Sequence, residues 1–341
     1  MAFLRNYWYA GGWSKDIGAE PFAHTILNEA VVFFRRADGG IAAIADRCCH
    51  RALPLSMGKV IGDHIQCGYH GLEYDGGGAC VLVPGQTKIP SGASVQSYPV
   101  IEKWNVAWIW MGDPALADAA EIPDTWWLDD PDWTPVMGSL HMKADYRLLV
   151  DNLMDLTHVT YVHTKTIAGD PSDGLVGVDT MRDGDRVTVG RWMLDVIPPP
   201  MFVAAGGFTS NVDRWQIVNW QAPAAIHLDI GCADAGTGAP DGDRSKGISM
   251  WSSHLITPET ETTTHYHWCY ARNYKLENKE TSRLLAEGGQ LTFMEDVKIL
   301  EIQQQSILTG PEVPKVDINI DNGPMQVRRI MSELLETERN V

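Results

Sequence analysis

Short alternating runs of hydrophobic and polar residues occupy the first third of the chain. From residue 25 to about residue 110 they read TILNEAVVFFRR, IAAIADR, HIQCGYHG, LEYDGGGACVLVP and NVAWIWMGD. Runs of this length, bounded by glycine and proline, are typical of strands joined by turns. Three glycines at 76–78 mark one tight turn, and Pro84, Pro90 and Pro99 interrupt the loops. The pattern predicts a small all-β domain.

The pattern changes after MGDPALADAAEIPD, whose Ala, Asp and Pro content predicts a domain boundary near residue 120. Residues 145–163 predict a helix with Asp145 as N-cap. An antiparallel sheet is predicted by DRVTVGRWML, DRWQIVNW, AIHLDIGCA, GISMWSSHLI and TTTHYHWCYAR. Amphipathic spacing predicts a long helix over about 281–306, and QVRRIMSELLETE predicts a last one. We therefore expect an α+β protein with domains 1–120 and 121–341, the second enclosing a cavity between sheet and helix.

The composition is that of an ordinary globular protein, with 44% hydrophobic and 21% charged residues among 341. A net charge of −17 argues against nucleic acid or an anionic membrane as a partner, since both would repel this surface. The N-terminal MAFLRNYWYAGGW lacks the features of a signal peptide, and no apolar run is long enough to span a bilayer. We therefore expect a cytoplasmic protein with reduced cysteines, in which clustered cysteines indicate a metal site.

Three of the six cysteines lie in RCCHRALPLSMGKVIGDHIQCGYHGLEYD. There Cys48-x-His50 and, after sixteen intervening residues, Cys67-x-x-His70 can hold one metal centre from two loops. Zinc-finger sites usually pair like with like, which disfavours zinc, and two mixed pairs argue against ordinary cysteines and histidines without a metal. A Rieske [2Fe–2S] cluster uses this donor set, with two cysteines on one iron and two histidines on the other. We assign the four residues to such a cluster and interpret Cys49 as a packed bystander.

A second candidate metal site lies in DNLMDLTHVTYVH, which contains Asn152, Asp155, His158 and His163. Mononuclear non-haem iron takes two imidazoles and one carboxylate and keeps open positions. His158 and His163 would lie about 140° apart around a regular helix, so we expect the helix to bulge or end between them. Two polar histidines at a helix end are the alternative, which the upstream electron carrier disfavours.

The carboxylate must come from elsewhere, and GGQLTFMEDVKILEIQQQ offers three candidates. The buried stripe of this predicted helix is formed by Phe293, Val297 and Leu300. Asp296 lies beside that stripe, where a carboxylate is costly to bury without a metal or a partner. We therefore expect Asp296 to be a ligand, and Glu295 and Glu301 to face solvent.

These motifs resemble those of Rieske non-haem iron oxygenase large subunits. CCHRALPLSMG and CGYHGLEYDGGGAC resemble the Rieske domain of that family. YRLLVDNLMDLTHVTYVH is similar to the iron-binding helix of the vanillate O-demethylase, dicamba O-demethylase and toluenesulfonate methyl-monooxygenase oxygenase components. VDRWQI, ITPETETTTHYHW, ARNY and FMEDVKILEIQQQ extend the similarity along nearly the whole chain. The resemblance implies a helix-grip catalytic domain, a sheet wrapped around long helices, in which one Fe(II) is held by His158, His163 and Asp296.

The resemblance also implies how electrons reach that iron. Asn152 is implied to lie close to the iron, and Asp155 to connect it with His70 of a neighbouring subunit. The implied assembly is a head-to-tail homotrimer, because the two centres of one subunit would be too far apart for efficient electron transfer. Flavin, nicotinamide and plant-type ferredoxin motifs are missing from the chain, which implies a separate NAD(P)H-dependent reductase.

The implied reaction uses O2 to monooxygenate a substituent of a small, acidic aromatic compound, by O-demethylation or methyl hydroxylation. Ring dihydroxylation or N-dealkylation by the same iron centre are alternatives within the family. A Rieske protein that only transfers electrons and a zinc-stabilised binding module are alternatives outside it. His227 and His254 fall where relatives place substrate contacts, although each could equally be a hydrogen-bonded histidine of the sheet.

Overall fold

The computed structural model describes residues 3–167, 175–311 and 316–340. The chain divides into two compact units, Met1–Asp124 with Thr257–Glu261, and Thr125–Ile256 with Thr262–Val341. The first unit is built from strands and short 3-10 helices, and the second combines a large sheet with α-helices. The predicted α+β class, with an all-β N-terminal part, is confirmed.

Small antiparallel sheets form the first unit. Its strands are Trp8–Trp13 (β1), Phe22–Ile26 (β2), Glu29–Arg35 (β3), Ile41–Ala45 (β4), Lys59–Ile61 (β5), His64–Gln66 (β6), Glu73–Tyr74 (β7), Cys80–Leu82 (β8), Ser97–Tyr98 (β9), Val100–Lys103 (β10) and Val106–Trp110 (β11). The sheet orders are β1-β11-β10, β2-β3-β4-β9 and β5-β6-β7-β8. Strands β5 to β8 follow each other as a meander, and Cys67 comes directly after β6.

The run TILNEAVVFFRR, expected as one strand, forms the hairpin of β2 and β3. Leu27 and Asn28 connect the two strands with φ values of 51° and 68°. Two consecutive left-handed residues make the two-residue turn whose twist suits a hairpin, and Asn adopts this conformation readily. Strand β1 was not predicted, since its sequence WYAGGW has no clear alternation and all of it is buried.

The core of the third sheet contains both predicted cluster cysteines. It is shared with the second sheet, and its fully buried members include Phe34 and Ile44 of that sheet with Leu55, Ile65 and Tyr74. Cys48 and Cys67 belong to the same core cluster and are only 3% and 2% exposed. The two thiols therefore lie against an apolar base that excludes water.

A seven-stranded antiparallel sheet dominates the second unit, in the order β12-β18-β17-β16-β15-β14-β13. The strands are Thr134–Met142 (β12), Asp179–Asp183 (β13), Arg186–Val196 (β14), Val212–Gln221 (β15), Ala225–Asp234 (β16), Gly247–Thr260 (β17) and Thr263–Arg272 (β18). The five strands expected from alternation correspond to β14 to β18. Strand β12 escaped prediction because it contains Pro135, which the edge position of this strand tolerates.

The helices of the second unit are Tyr146–Leu153 (α1), Val159–Val162 (α2), Pro200–Gly206 (α3), Lys279–Thr309 (α4) and Asn322–Arg339 (α5). Helix α4 packs Phe293 against the rings of Tyr266, Trp268 and Tyr270 on β18, at centroid distances of 5.2–5.7 Å. Gly289 permits this close approach, because a Cβ there would lie 2.8 Å from the Tyr270 ring. Among the helices of the described residues, none is both long and apolar enough to cross a membrane.

The helix expected over 145–163 is shorter than predicted. Asp145 caps it as expected, accepting a hydrogen bond from the Arg147 amide at 2.9 Å, but α1 ends at Leu153. The Asp155 carboxylate accepts from both the amide and the hydroxyl of Thr157 at 2.7 Å. Such a local side-chain bond offers the backbone an alternative to the helix. The chain then makes only the single turn α2 before it leaves helical geometry.

Candidate metal centres

Two loops of matching geometry carry the cysteine–histidine motifs. In the first, the Cys48 amide donates to the Leu53 carbonyl at 2.9 Å. In the second, the Cys67 amide donates to the Leu72 carbonyl at 2.8 Å. Each cysteine is thus the first residue of a six-residue loop closed by its own backbone hydrogen bond. The equivalence was not evident from the sequence, because the two histidines stand at different spacings from their cysteines.

The same position in both loops requires a left-handed backbone. Ala52 has φ of 57° and Gly71 has φ of 72°, and each amide donates back to the carbonyl of its loop cysteine. Glycine takes this conformation without strain, whereas an alanine costs about 1 kcal/mol. The loop geometry is therefore maintained at Ala52 against a local conformational preference.

The two loops bring the four predicted cluster residues close to one another. Cys48 and Cys67 are buried, whereas His50 and His70 are exposed and their ring centroids lie 4.6 Å apart. The six cysteines of the chain are free of disulfides. Two buried thiols behind two adjacent, accessible imidazoles fit a Rieske cluster, in which the histidine-bound iron faces outward.

Tyr74 lies against the cysteine side of this group. Its hydroxyl oxygen is 3.2 Å from Cys48 Sγ, 3.2 Å from Cys49 Sγ and 3.3 Å from the Cys49 amide nitrogen. Burial, together with the neighbouring thiols, raises the pKa of Tyr74, so the phenol stays protonated and is able to donate. Burial opposes ionisation of Cys48, but the Tyr74 hydrogen bond and nearby amides lower the pKa of that thiol overall.

The expectation for Cys49 was wrong in part. Cys49 is exposed rather than packed, and its thiol and amide both contact the Tyr74 hydroxyl. Tyr74 itself was not singled out from the sequence. Its position in β7, the strand that follows the second loop, is the signal that could have drawn attention to it.

In the second unit, His158, His163 and Asp296 converge on one point. One ligand atom from each lies within 4.8 Å of the other two. Asp296 Oδ1 is 3.2 Å from His163 Nε2 and 3.6 Å from His158 Nε2. His163 and Asp296 are each 1% exposed. A buried carboxylate facing two imidazole nitrogens is the donor set that non-haem Fe(II) prefers.

The expected bulge or end of the helix between the two histidines takes the form of an end, because α2 stops at Val162, just before His163. His158 immediately precedes α2 and His163 immediately follows it, so the two side chains leave from opposite ends of one short turn. His163 has φ of −99° and ψ of 32°, outside helical geometry. Ending the helix on both sides removes the 140° separation that a regular helix would impose.

The Nδ1 atoms of both histidines are engaged by the protein. His158 Nδ1 hydrogen-bonds to the backbone carbonyl of Asp155, and His163 Nδ1 to the Glu295 carboxylate at 2.9 Å. Thr166 Oγ1 donates to the same Glu295 oxygen at 2.8 Å. Both rings are thereby oriented with Nε2 toward Asp296. The expectation that Glu295 is merely solvated was wrong, because a helical wheel does not include the α2 segment that packs beside it.

Asn152 supplies a further polar group at the same point. Its Nδ2 donates to Asp296 Oδ1 at 3.2 Å. Its Oδ1 is buried and has no hydrogen-bond partner within the described parts of the chain. Most buried amide oxygens in proteins have a hydrogen-bond partner, so an exception calls for an explanation such as a functional role. The residues present therefore fit a metal ion, with one further polar atom unpartnered beside it.

The electrostatics of the two histidines differ. Burial lowers the pKa of His158, although the Asp296 charge opposes this. Burial acts in the same direction on His163, but the hydrogen bonds and charges of Asp296 and Glu295 raise the pKa of that imidazole overall. Glu301, the third candidate carboxylate of this helix, does not approach the two histidines. It accepts a hydrogen bond from the Lys143 amide at 2.8 Å on the exposed side of α4.

The two candidate substrate histidines have opposite environments. His227, on β16, is buried, and neither of its ring nitrogens has a hydrogen-bond partner among the described residues. His254, on β17, is also buried, but its nitrogens lie 2.9 Å from Ser252 Oγ and 2.6 Å from Tyr266 Oη. Burial lowers the pKa of each imidazole to about 3, so both are uncharged near neutrality.

An aromatic group not foreseen from the sequence adjoins His227. Trp127 meets the His227 ring edge-on at 5.1 Å and stacks on Trp251 at 4.2 Å, with an interplanar angle of 7°. Its indole nitrogen donates to Ser253 Oγ at 2.9 Å. Trp127 lies 126 residues before Ser253 in sequence, and only the packing of the second unit brings it to β16 and β17.

Comparisons with known proteins place both units in described families. Residues 7–99 match the Rieske [2Fe-2S] domain, and residues 142–337 match the vanillate O-demethylase oxygenase C-terminal domain. The chain is 40% identical to the iron–sulfur subunit of the toluene-4-sulfonate monooxygenase system of Comamonas testosteroni, over 98% of both chains. It is 34% identical to the oxygenase component of dicamba O-demethylase from Stenotrophomonas maltophilia, over 99% of both.

Solved structures support the same relationship. The crystal structure of dicamba monooxygenase bound to dicamba superposes with a TM-score of 0.92 at 32% identity, covering 99% of both chains. A further crystal structure of that enzyme, with non-haem iron and dicamba, gives a TM-score of 0.86 at 30% identity, covering 100% of this chain and 99% of that one. The cluster motif, the convergent second site and these similarities lead to one conclusion: the chain belongs to the Rieske non-haem iron oxygenases.

Proposed function

We propose that the chain is the terminal oxygenase component of a system that monooxygenates a substituent of a small aromatic compound. One atom of O2 enters the substrate C–H bond, the other leaves as water, and NAD(P)H supplies two electrons through a separate reductase. If the oxidised carbon is an O-methyl group, the product releases formaldehyde. The observation that carries the proposal is the convergence of His158, His163 and Asp296 in a chain that also contains a Rieske domain.

We assign the metal ligands residue by residue. Cys48, His50, Cys67 and His70 would hold the [2Fe–2S] cluster, and His158, His163 and Asp296 would hold Fe(II). When bound, the cluster supplies electrons singly and the Fe(II) supplies O2 activation. The chain's own contribution is to exclude water from Asp296 and to direct both imidazole Nε2 atoms toward it. Asn152 supports this arrangement by donating to the Asp296 carboxylate.

His227 is the side chain best suited to bind the polar group of a substrate. An imidazole that is buried and uncharged offers one N–H donor and one nitrogen acceptor, and leaving both unmatched costs free energy. Trp127 and Trp251 beside it provide apolar surface for an aromatic ring. His254 already has partners for both nitrogens. Its role in this proposal is therefore to hold the surface formed by His227, Trp127 and Trp251 in place and not to bind the substrate directly.

The proposed substrate class follows from the relatives and from the surface formed by His227, Trp127 and Trp251. Toluene-4-sulfonate, vanillate and dicamba, named in the relatives, are small aromatic acids. Buried Arg191 already donates to Gln216 Oε1 and the Leu156 carbonyl. The N–H of a neutral His227 can bind an acid oxygen or a phenol without a charged clamp. We therefore propose a small aromatic with one acidic or phenolic group and a methyl or methoxy substituent.

The same proposal includes a homotrimer in the cytoplasm, in which Asp155 of one copy meets His70 of the next. It rests on the family resemblance and on the accessibility of the His70 ring. In Asp155 the carboxylate is tied to Thr157 and the carbonyl to His158, which would hold the residue rigidly beside the iron site. Light scattering of the purified holoprotein should give three times the chain mass, and a monomer would contradict this assembly.

The function is tested with the iron-loaded holoprotein and a surrogate reductase. Methoxylated, methylated and sulfonated benzoates, together with the corresponding phenols, are screened for substrate-dependent O2 uptake. Formaldehyde from a methoxy compound identifies demethylation, and a stable benzylic alcohol identifies methyl hydroxylation. A cis-diol would replace the proposal by ring dihydroxylation, and reduction of the cluster without any coupled O2 uptake would favour a pure electron carrier.

A further inference from the structure

Glu295 occupies a defined position although the sequence places it on the outer side of α4. Its Oε2 atom receives hydrogen bonds from His163 Nδ1 at 2.9 Å and from Thr166 Oγ1 at 2.8 Å. The side chain is 29% exposed, whereas His163 is almost fully buried. The carboxylate therefore closes the outer side of the His163 ring.

Two consecutive residues of α4 contact opposite nitrogens of one imidazole. Asp296 Oδ1 lies 3.2 Å from His163 Nε2, and Glu295 Oε2 lies 2.9 Å from Nδ1. Neighbouring side chains diverge by about 100° around a helix, which lets them straddle a ring inserted between them. The ring of His163 is thus held from both sides by a single turn of α4.

The other histidine is held differently. His158 Nδ1 meets a backbone carbonyl, that of Asp155, which is uncharged. Only His163 has a carboxylate behind it. A metal-binding imidazole that donates its second N–H to a carboxylate has a fixed tautomer and is a stronger ligand.

We propose that Glu295, locked by Thr166, is a positioning residue that sets the tautomer of His163 and strengthens Fe(II) binding at the mononuclear site. The inference rests on the proposed ligation of iron by His158, His163 and Asp296. Glu295 keeps the proton of His163 on Nδ1, so that the Nε2 lone pair points at the metal position. Together with Asp296, its charge balances the two positive charges of Fe(II) in a buried site, where an uncompensated charge is costly.

The test measures metal affinity rather than turnover. Full-length protein that keeps its Rieske cluster is stripped of mononuclear iron with a chelator and titrated anaerobically with Fe(II). We expect Glu295→Ala to weaken Fe(II) binding about 10–100-fold, the usual effect of losing such a partner. Glu295→Gln keeps an acceptor but loses the charge and should lie between wild type and alanine. Thr166→Val should also weaken Fe(II) binding, but by a smaller factor than Glu295→Ala.

Glu301→Gln is the matched control, because it lies on the same helix and its carboxylate contacts the Lys143 amide instead of a histidine. Its Fe(II) affinity should equal that of wild type. Co(II) is the second probe: its visible absorption should keep its wild-type form in Glu301→Gln and change in Glu295→Ala. The thermal midpoint of the metal-free variants reports separately on any purely structural contribution.

The outcomes separate this inference from the function on which it rests. If wild type binds Fe(II) and both Glu295 variants bind it equally well, the positioning role is wrong while the iron site stands. If Glu295→Ala only lowers the thermal midpoint without changing the affinity, Glu295 is structural and the inference is overturned. Should Glu295→Ala not fold, Glu295→Gln decides. Failure of wild type itself to bind Fe(II) would instead overturn the ligand assignment.

Discussion

His163 Nε2 lies 3.2 Å from Asp296 Oδ1, although most of the seven-stranded sheet separates the two residues in sequence. His163 ends the short helix α2, and Asp296 lies midway along α4. The chain therefore forms most of the sheet between these two residues before α4 places Asp296 beside His163. Each residue is 1% exposed, so the pair forms a buried polar site that requires a compensating partner.

Replacing Asp296 by Ala should abolish turnover while leaving the Rieske domain intact. The substitution removes the carboxylate of the proposed ligand set and leaves two neutral imidazoles, which bind Fe(II) weakly. We expect iron content to fall from three to two atoms per chain, with unchanged cluster absorbance. Metal analysis and visible spectroscopy measure both quantities in one sample. Retention of the third iron together with turnover would remove Asp296 from the ligand set.

Replacing Asp155 by Asn should separate electron delivery from metal binding. The amide oxygen can still accept from Thr157, and the backbone carbonyl bonded to His158 is unchanged. Both metal centres should therefore remain filled, while electron transfer to the mononuclear iron slows by about tenfold or more. Single-turnover oxidation of the reduced cluster measures this rate. Wild-type kinetics would contradict a connecting role for the Asp155 carboxylate.

Replacing Tyr74 by Phe should lower the reduction potential of the cluster. The phenol lies 3.2 Å from Cys48 Sγ and, being protonated, is able to donate to this sulfur once it is a thiolate and so to withdraw negative charge from it. Hydrogen bonds to the sulfurs are one determinant of cluster potential. Protein-film voltammetry measures the shift. Cys49→Ala, which removes a thiol that also contacts the phenol, should change the potential less than Tyr74→Phe.

Replacing His227 by Phe should stabilise the protein while reducing activity. The phenyl ring can keep the edge contact with Trp127, and it removes two buried ring nitrogens that have no partner among the described residues. Unsatisfied buried polar groups cost about 1–3 kcal/mol each, so the free energy of unfolding should rise. Loss of a substrate hydrogen bond should lower kcat/KM about tenfold, which corresponds to ~1.4 kcal/mol.

His254→Phe provides the contrasting control. Its ring nitrogens contact Ser252 Oγ and Tyr266 Oη, so the same substitution removes a hydrogen-bond partner from each of two buried hydroxyls. The free energy of unfolding should fall by about 1–3 kcal/mol. Denaturant titration of both variants measures the two effects. If both substitutions destabilise equally, His227 is satisfied in solution and its suggested substrate contact loses its support.

The stability of the wild-type protein should fall as the pH drops below about 6.5. His227 and His254 both have pKa values of about 3 in the folded protein, against 6.5 for an ordinary histidine. The unfolded chain therefore binds protons first, and stability present above pH 6.5 is lost progressively toward pH 3. At pH 5.5 each histidine should cost about 1.4 kcal/mol. His227→Phe should remove its share of this slope, which unfolding measurements at pH 5.5 and 7.5 can detect.

Much of the fold could be read from local patterns. Alternation predicted β14 to β18, and amphipathic spacing predicted α4, because strands and helices of a layered domain each bury one face. The Cys48 and Cys67 motifs predicted the cluster, since its ligands lie on two loops close in sequence. The helix end between His158 and His163 was expected and lies at Val162. The earlier end of α1 at Leu153 was not expected, because it depends on the Asp155–Thr157 bonds.

By itself the sequence predicted an all-β domain followed by an α+β domain and four candidate cluster ligands, and its family resemblance implied the grouping of His158 and His163 with Asp296. The cluster prediction depends on residue type and local spacing, whereas Asp296 is distant in sequence and was reached through the apolar stripe of α4 and the resemblance. Tertiary structure alone decided the roles suggested for Glu295, Tyr74 and Trp127. Each of these side chains acquires its partner from an element distant in sequence or from a loop folded over it. Periodicity describes which face of an element is apolar, but packing decides what that face meets.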